Sequence, residues 1–196
     1  MVERVDARFA KHLDAAWERD WPGIHPFRDN REPWDQWVRF HSLPGSKRYA
    51  DTDAERSEIV RRHTTVLNEL LGHEETSGVI VFWAIVNGEA SESQWPVLMP
   101  NARIWHESAL WEHDEDEDVH ATFYVDTSFR TAEELVPVLH AVANEELWDI
   151  VIAPPSLAWR YHPYDGGADI ITPSAVAREQ LASRHRDWLS ARPDGM

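Results

Sequence analysis

Between Trp159 and Ile171 the chain reads Trp159-Arg160-Tyr161-His162-Pro163-Tyr164-Asp165-Gly166-Gly167-Ala168-Asp169-Ile170-Ile171, which brings an imidazole, two carboxylates and two phenols close together. An Asp-Gly step between two strand-like runs is a hairpin signal. A two-residue turn at Asp165-Gly166 pairs Tyr164 with Gly167, Pro163 with Ala168 and His162 with Asp169. Cross-strand neighbours stand about 4.5–5.5 Å apart at Cβ, close enough for a carboxylate to orient an imidazole as a general base or ligand. His162, Asp165 and Asp169 are therefore the catalytic candidates, with Tyr161 and Tyr164 as binding residues beside them. The same residues also suit a capped hairpin with a solvated His–Asp contact, and a turn one residue later would separate the couple. Pro163 has no N–H to donate, so its strand is expected at a sheet edge or with its pairing broken there.

A second grouping lies in Phe40-His41-Ser42-Leu43-Pro44-Gly45-Ser46-Lys47-Arg48-Tyr49-Ala50. Gly45-Ser46-Lys47 lacks the earlier glycine of a phosphate loop, which excludes an ATPase reading, but Lys47 and Arg48 remain candidates to hold an anion or carboxylate. Glu112-His113-Asp114-Glu115-Asp116-Glu117-Asp118 is expected to be a solvated loop. It opens like a calcium loop, yet Val119 and Val125 stand where the turn glycine and the closing glutamate belong. His106, His113 and His120 recur every seven residues without the close spacing of a zinc helix, so no metal site is assigned. No Gly-x-Ser-x-Gly elbow occurs, and with no cysteine anywhere, thiol catalysis, Cys-ligated zinc, iron–sulfur clusters and disulfides are all excluded. No cofactor is expected.

The tail carries one resemblance. An aromatic strand with His162, then Tyr164, Asp165, a turn containing Gly166, then Asp169-Ile170-Ile171, and later the pair Trp188-Leu189, is similar to the C-terminal block of the bacterial family catalogued as domain of unknown function 3885. Pro163 and Gly167 depart from that block, and the resemblance implies no established chemistry.

These residues need a frame. Val5, Phe9, Leu13 and Trp17 recur at helical spacing and predict a helix over 3–19. Thr52 and Glu55 form a capping box ahead of the stripe Ile59, Val60, His63, Val66, Leu67, Leu70 and Leu71, predicting a helix over 54–71 that ends at Gly72. The continuous apolar run Val79–Val86 predicts a central strand covered on both faces. Further strands are expected at 36–40, 97–105, 119–126, 148–153, 157–162 and 168–171. Thr131 and Glu134 suggest another capping box, with Pro137 kinking or delaying its helix, and a last helix is expected over 174–191 with Val176, Leu181, Trp188 and Leu189 as its apolar residues. Short connections between successive strands favour an antiparallel or mixed sheet with about four helices packed on it, in a single α+β domain spanning 1–196.

Composition narrows the partners. Thirty-five Asp and Glu against nineteen Lys and Arg leave a formal charge of −16, which repels nucleic acid and anionic lipid and draws in a basic protein. Eleven Trp residues place some indoles at a groove or interface. The charged N-terminal segment and the lack of a membrane-length apolar run suggest a cytoplasmic protein. Three readings stay open: a protein-binding or regulatory domain, in the manner of an immunity protein against a basic toxin; a small enzyme or ligand-binding protein centred on His162, Asp165 and Asp169; and a structural domain. Charge and aromatic content favour the first. A concave pocket joining the hairpin to the Lys47 turn would favour the second, and an exposed Trp patch beside the acidic loop the first.

Overall fold

A computed structural model describes residues 2–26, 35–74, 77–86, 95–111 and 119–190. Within them runs α1 (Ala7–Asp20), β1 (Trp37–His41), α2 (Asp53–Leu71), β2 (Ile80–Val86), α3 (Trp95–Leu98), β3 (Arg103–Trp111), β4 (Val119–Asp126), α4 (Val136–Ala143), β5 (Ile150–Ala153), β6 (Arg160–Tyr164), β7 (Gly167–Ile171) and α5 (Ala175–Arg184). The seven strands form one sheet in the order β1-β7-β6-β5-β2-β4-β3, and every pairing between neighbours is antiparallel. The fold is α+β, with the sheet wholly antiparallel.

Alternation along the strands gives the sheet two apolar faces. Ile80, Phe82 and Ala84 pack with Leu13, Ala16 and Trp17 of α1, where the rings of Trp17 and Phe82 lie 4.8 Å apart. Val81 and Trp83 join the opposite core, built with Val66, Leu67 and Leu70 of α2, Val138, Leu139 and Val142 of α4, and Leu181 of α5. The predicted central strand is therefore β2, paired on both edges and buried on both faces through Ala84.

The capping box at Thr52 and Glu55 forms as expected, and α2 follows it. Elsewhere tertiary contacts move the boundaries. Asp6 caps α1, so the helix starts at Ala7 rather than residue 3; the residues before it are extended, with Val5 N–H donating to the Ile104 carbonyl and Ile104 N–H to that of Glu3. The strand expected at 97–105 divides: Trp95–Leu98 is a single helical turn whose Trp95 ring packs on Trp83 and Tyr124, and β3 begins only at Arg103 and runs on to Trp111. Glu134 reaches back to Arg130 N–H instead of completing a box at Thr131, and α4 starts at Val136 with Pro137 in its first turn, where a missing N–H costs nothing. The last helix stops at Arg184 and a 3₁₀ turn carries the chain to Trp188; Val176 is 67% exposed and belongs to no apolar stripe. Residues 112–118, including His113, lie outside the described residues.

The β1–β7 pairing needs a glycine at 167. A Cβ there would collide with the Phe40 carbonyl oxygen and would press on the Tyr164 hydroxyl at 3.1 Å. Gly167→Ala is expected to lower stability by about 2–4 kcal/mol, because rigid backbone rather than a flexible side chain blocks the methyl group. Urea denaturation of the two proteins measures this.

Candidate functional site

The hairpin turns at Asp165-Gly166 and pairs Tyr164 with Gly167, Pro163 with Ala168 and His162 with Asp169, the register that the Asp-Gly step predicts. Neither turn residue has a positive φ. β6 lies inside the sheet, but its pairing with β5 is a single couple, Ile152 with Tyr161, and lapses before Pro163, whose missing N–H could not extend it.

Because β1 pairs Arg39 with Asp169, the couple becomes a row of three across β6, β7 and β1: His162, Asp169, Arg39. Asp169 is 6% exposed and accepts from Arg39 Nε at 2.8 Å and Nη2 at 2.7 Å, and from Trp37 Nε1 at 3.0 Å. Arg39 lies against the rings of Trp37 and Tyr164, 5.5 and 5.4 Å from their centroids. A carboxylate that accepts a bidentate guanidinium and an indole N–H has its oxygens engaged by β1 and serves as the anchor of that strand. Two pairs further along, Arg160 sits 4.2 Å from the Trp21 ring centroid, and burial lowers its pKa to about 10. Burial first, then Arg39 and Arg62, keep the nearby His41 below the usual imidazole range.

Asp165 turns the other way and accepts from Arg48 Nε, which joins the hairpin to the turn before α2. Arg48 also approaches Glu145 at 3.9 Å and stacks on Tyr49, 5.3 Å from its ring centroid. Lys47 takes no part; its ammonium is bound to Asp51 at 2.8 Å and Glu55 at 2.5 Å. Between hairpin and turn lies a cleft of about 350 Å³, lined by Arg48, His162, Tyr164 and Asp165 and by Glu145, Trp148 and Asp149 of the α4–β5 loop. Trp148 is 50% exposed there.

The α4–β5 loop escaped sequence reasoning, because it carries no glycine to mark it. Glu145 N–H donates to Val142 and Glu146 N–H to Ala141, the paired bonds of a Schellman ending to α4. Its left-handed position is filled by Glu145, φ 57°, where glycine is the usual residue. Asp149, φ 58°, repeats the conformation at the other end of the loop. Arg39 was equally invisible, since one arginine in a short strand has no pattern.

Tyr161 points to the opposite face from His162 and Tyr164, away from the cleft, and is 1% exposed. Its hydroxyl meets His63 Nδ1 at 2.6 Å, while His63 Nε2 meets Ser42 Oγ at 3.0 Å. The phenol, the stronger acid of the two hydroxyls, is the natural donor to Nδ1, which leaves the proton of the neutral ring on Nε2 to be donated to Ser42. This Ser–His–Tyr chain has the residue types of a nucleophile and its base, but the space beside it is about 10 Å³, room for no substrate. It is a satisfied polar network in the core.

Two of the three spaced histidines stand apart. His106 is the cross-strand partner of Phe123 on the α1 side, whereas His120, three residues earlier in β4, projects from the other face. Among the described residues no group of three or more His, Asp or Glu side chains is placed to hold a metal ion, and no helix is long and apolar enough to cross a membrane.

Two measurements probe this arrangement. Asp169→Ala strands a guanidinium that is 14% exposed and is expected to cost about 3–5 kcal/mol, whereas Asp165→Ala, whose Arg48 partner is 60% exposed, should cost under about 1 kcal/mol; urea denaturation compares them. Burial lowers the His63 pKa from 6.5 to about 4. A folded-state value below the unfolded one means that the unfolded chain binds the proton first, so this contribution is present above pH 6.5 and is lost as pH falls through 4. Stability should drop by about 3 kcal/mol across that window, and His63→Gln should flatten the drop in denaturation curves taken at each pH.

Comparison with known proteins supplies a family and nothing finer. No curated protein and no solved structure matches the chain. The family described as domain of unknown function (DUF3885) matches residues 25–193, from ahead of β1 to beyond the 3₁₀ turn that follows α5. That span includes the hairpin, the Arg48 turn and the α4–β5 loop, and reaches well past the C-terminal block in which the resemblance is legible; α1 falls outside it. The chain belongs to the DUF3885 family.

Proposed function

We propose that this is a binding protein of the regulatory, immunity-like kind, and that its hairpin cleft receives a basic side chain of a protein partner. The observation that carries the reading is Glu145 in the left-handed position that ends α4, beside a half-exposed Trp148. A glycine there would be the more stable choice by about 1 kcal/mol, so a glutamate carried at that conformational cost argues for a use of its carboxylate. Glu145, Asp149 and Asp165 outnumber Arg48 around the cleft, and aromatic rings among carboxylates suit a guanidinium or ammonium group. A net charge of −16 would steer a basic partner toward it.

The enzyme or small-ligand reading keeps one supporting observation: the cleft does join the hairpin to the Arg48 turn, with His162 inside it. Its carboxylates are already occupied, however, since Asp169 holds Arg39 and Asp165 holds Arg48. We therefore rank binding above catalysis.

Glu145→Gly separates stability from function. The variant should melt a few degrees higher, consistent with a gain of about 1 kcal/mol. It should also bind a capped Arg-Gly repeat peptide about three- to tenfold more weakly by calorimetry, and the wild-type affinity should fall between about 20 mM and about 300 mM salt. An unchanged affinity in a stabilised variant would remove the cleft from the binding surface.

A further inference from the structure

At the other end of β5 and β6 from the cleft, a second pocket of about 630 Å³ opens between the C-terminal part of α2, the loop after β5, and α5. That volume falls in the range of small-molecule sites. Leu70, Trp159, Ala177 and Leu181 give it an apolar lining.

The charged groups at this pocket are already hydrogen-bonded, Glu69 to a cation and Glu74 to a hydroxyl. Glu69 accepts from Arg184 Nε at 2.8 Å and lies 2.7 Å from His185 Nε2, and Glu74 accepts from Ser156 Oγ at 2.7 Å. His73 and Gln180 also line the pocket, and neither makes a side-chain hydrogen bond among the described residues. An imidazole and a carboxamide together offer donors and acceptors but no fixed charge. A charged guest would lose its hydration against apolar walls: an anion would find Arg184 committed to Glu69, and a cation would meet only Glu74, which already accepts from Ser156.

We infer that this pocket is a binding site for an uncharged, largely apolar small molecule bearing an amide-like hydrogen-bonding group, with the apolar part against Trp159 and Leu181 and the polar group at His73 and Gln180. It stands apart from the hairpin cleft and does not rest on the reading proposed for it.

The test uses three probes that share a phenyl ring: neutral N-acetylphenylalaninamide, anionic phenylacetate and cationic phenethylamine. Binding is read from the indole N–H resonance of Trp159 in ¹⁵N-labelled protein, identified by its loss in Trp159→Phe. The neutral probe should shift that resonance saturably and bind at least about tenfold more tightly than either charged probe. Ala177→Phe, which fills the pocket from a partly exposed position, should abolish the shift. His73→Ala combined with Gln180→Ala should weaken the neutral probe by about tenfold while leaving the apolar lining intact, and it decides the matter if Ala177→Phe does not fold. No saturable shift, equal or tighter binding of a charged probe, or an unaltered affinity in the double variant would overturn the inference.

Discussion

Asp169 is a carboxylate with almost no exposure to water, so its charge must be matched inside the protein. Arg39 and Trp37, one strand over, do this with three hydrogen bonds, and much follows from that contact. It ties β1 to β7 by side chains as well as by the ladder, fixes which face of β1 carries the guanidinium, and sets that guanidinium near two rings. A one-residue slip of β1 would turn Arg39 into the apolar core beneath α2 and leave Asp169 without its cation, and either outcome is costly. The glycine opposite His41 serves the same register from the backbone side, since β1 approaches there too closely for any side chain.

The two faces of this part of the sheet divide polar groups by whether they are fully satisfied inside. On the α2 side, Tyr161, His63 and Ser42 form a neutral, closed chain among Phe40, Ala168 and Trp188, with no space for a guest. On the other side His162 and Tyr164 remain half-buried, and the buried Asp165 holds the exposed Arg48. Polar groups left partly in solvent keep their capacity to meet a partner. Those sealed in the core contribute specificity of packing and a sensitivity to acid.

A rigid sheet with variable connections at its ends places binding surfaces at those ends. Here β5 and β6 run between two concavities of different character. At one end carboxylates and exposed aromatics surround a shallow cleft, built on a helix ending that departs from the usual glycine. At the other, the Arg184–Glu69 ion pair and the Ser156–Glu74 hydrogen bond border an apolar pocket. The difference lies in loop composition rather than in the sheet, whose strands supply mainly position. α1 covers the opposite face of β2 and β4 and lies outside the residues that the family model matches.

Much of the fold is legible in local chemistry. The run Val79–Val86 has no polar side chain to offer a solvent face, so it had to lie inside the sheet. The Asp165-Gly166 step set the hairpin register residue by residue, and Thr52 with Glu55 set the start of α2, because each of these depends on neighbours a few residues apart. The candidate site was legible only in part: His162, Tyr164, Asp165 and Arg48 do line one cleft, while Lys47 is drawn to its own helix terminus and Tyr161 alternates to the far face. What the chain could not announce were the contacts made across more than a hundred residues, Arg39 with Asp169 and Arg48 with Asp165. An isolated arginine carries no periodicity and a carboxylate does not advertise which cation will reach it. Only the order of strands, which brings β1 beside β7 and the turn before α2 beside the hairpin tip, decided that these acids would be occupied by the protein's own bases.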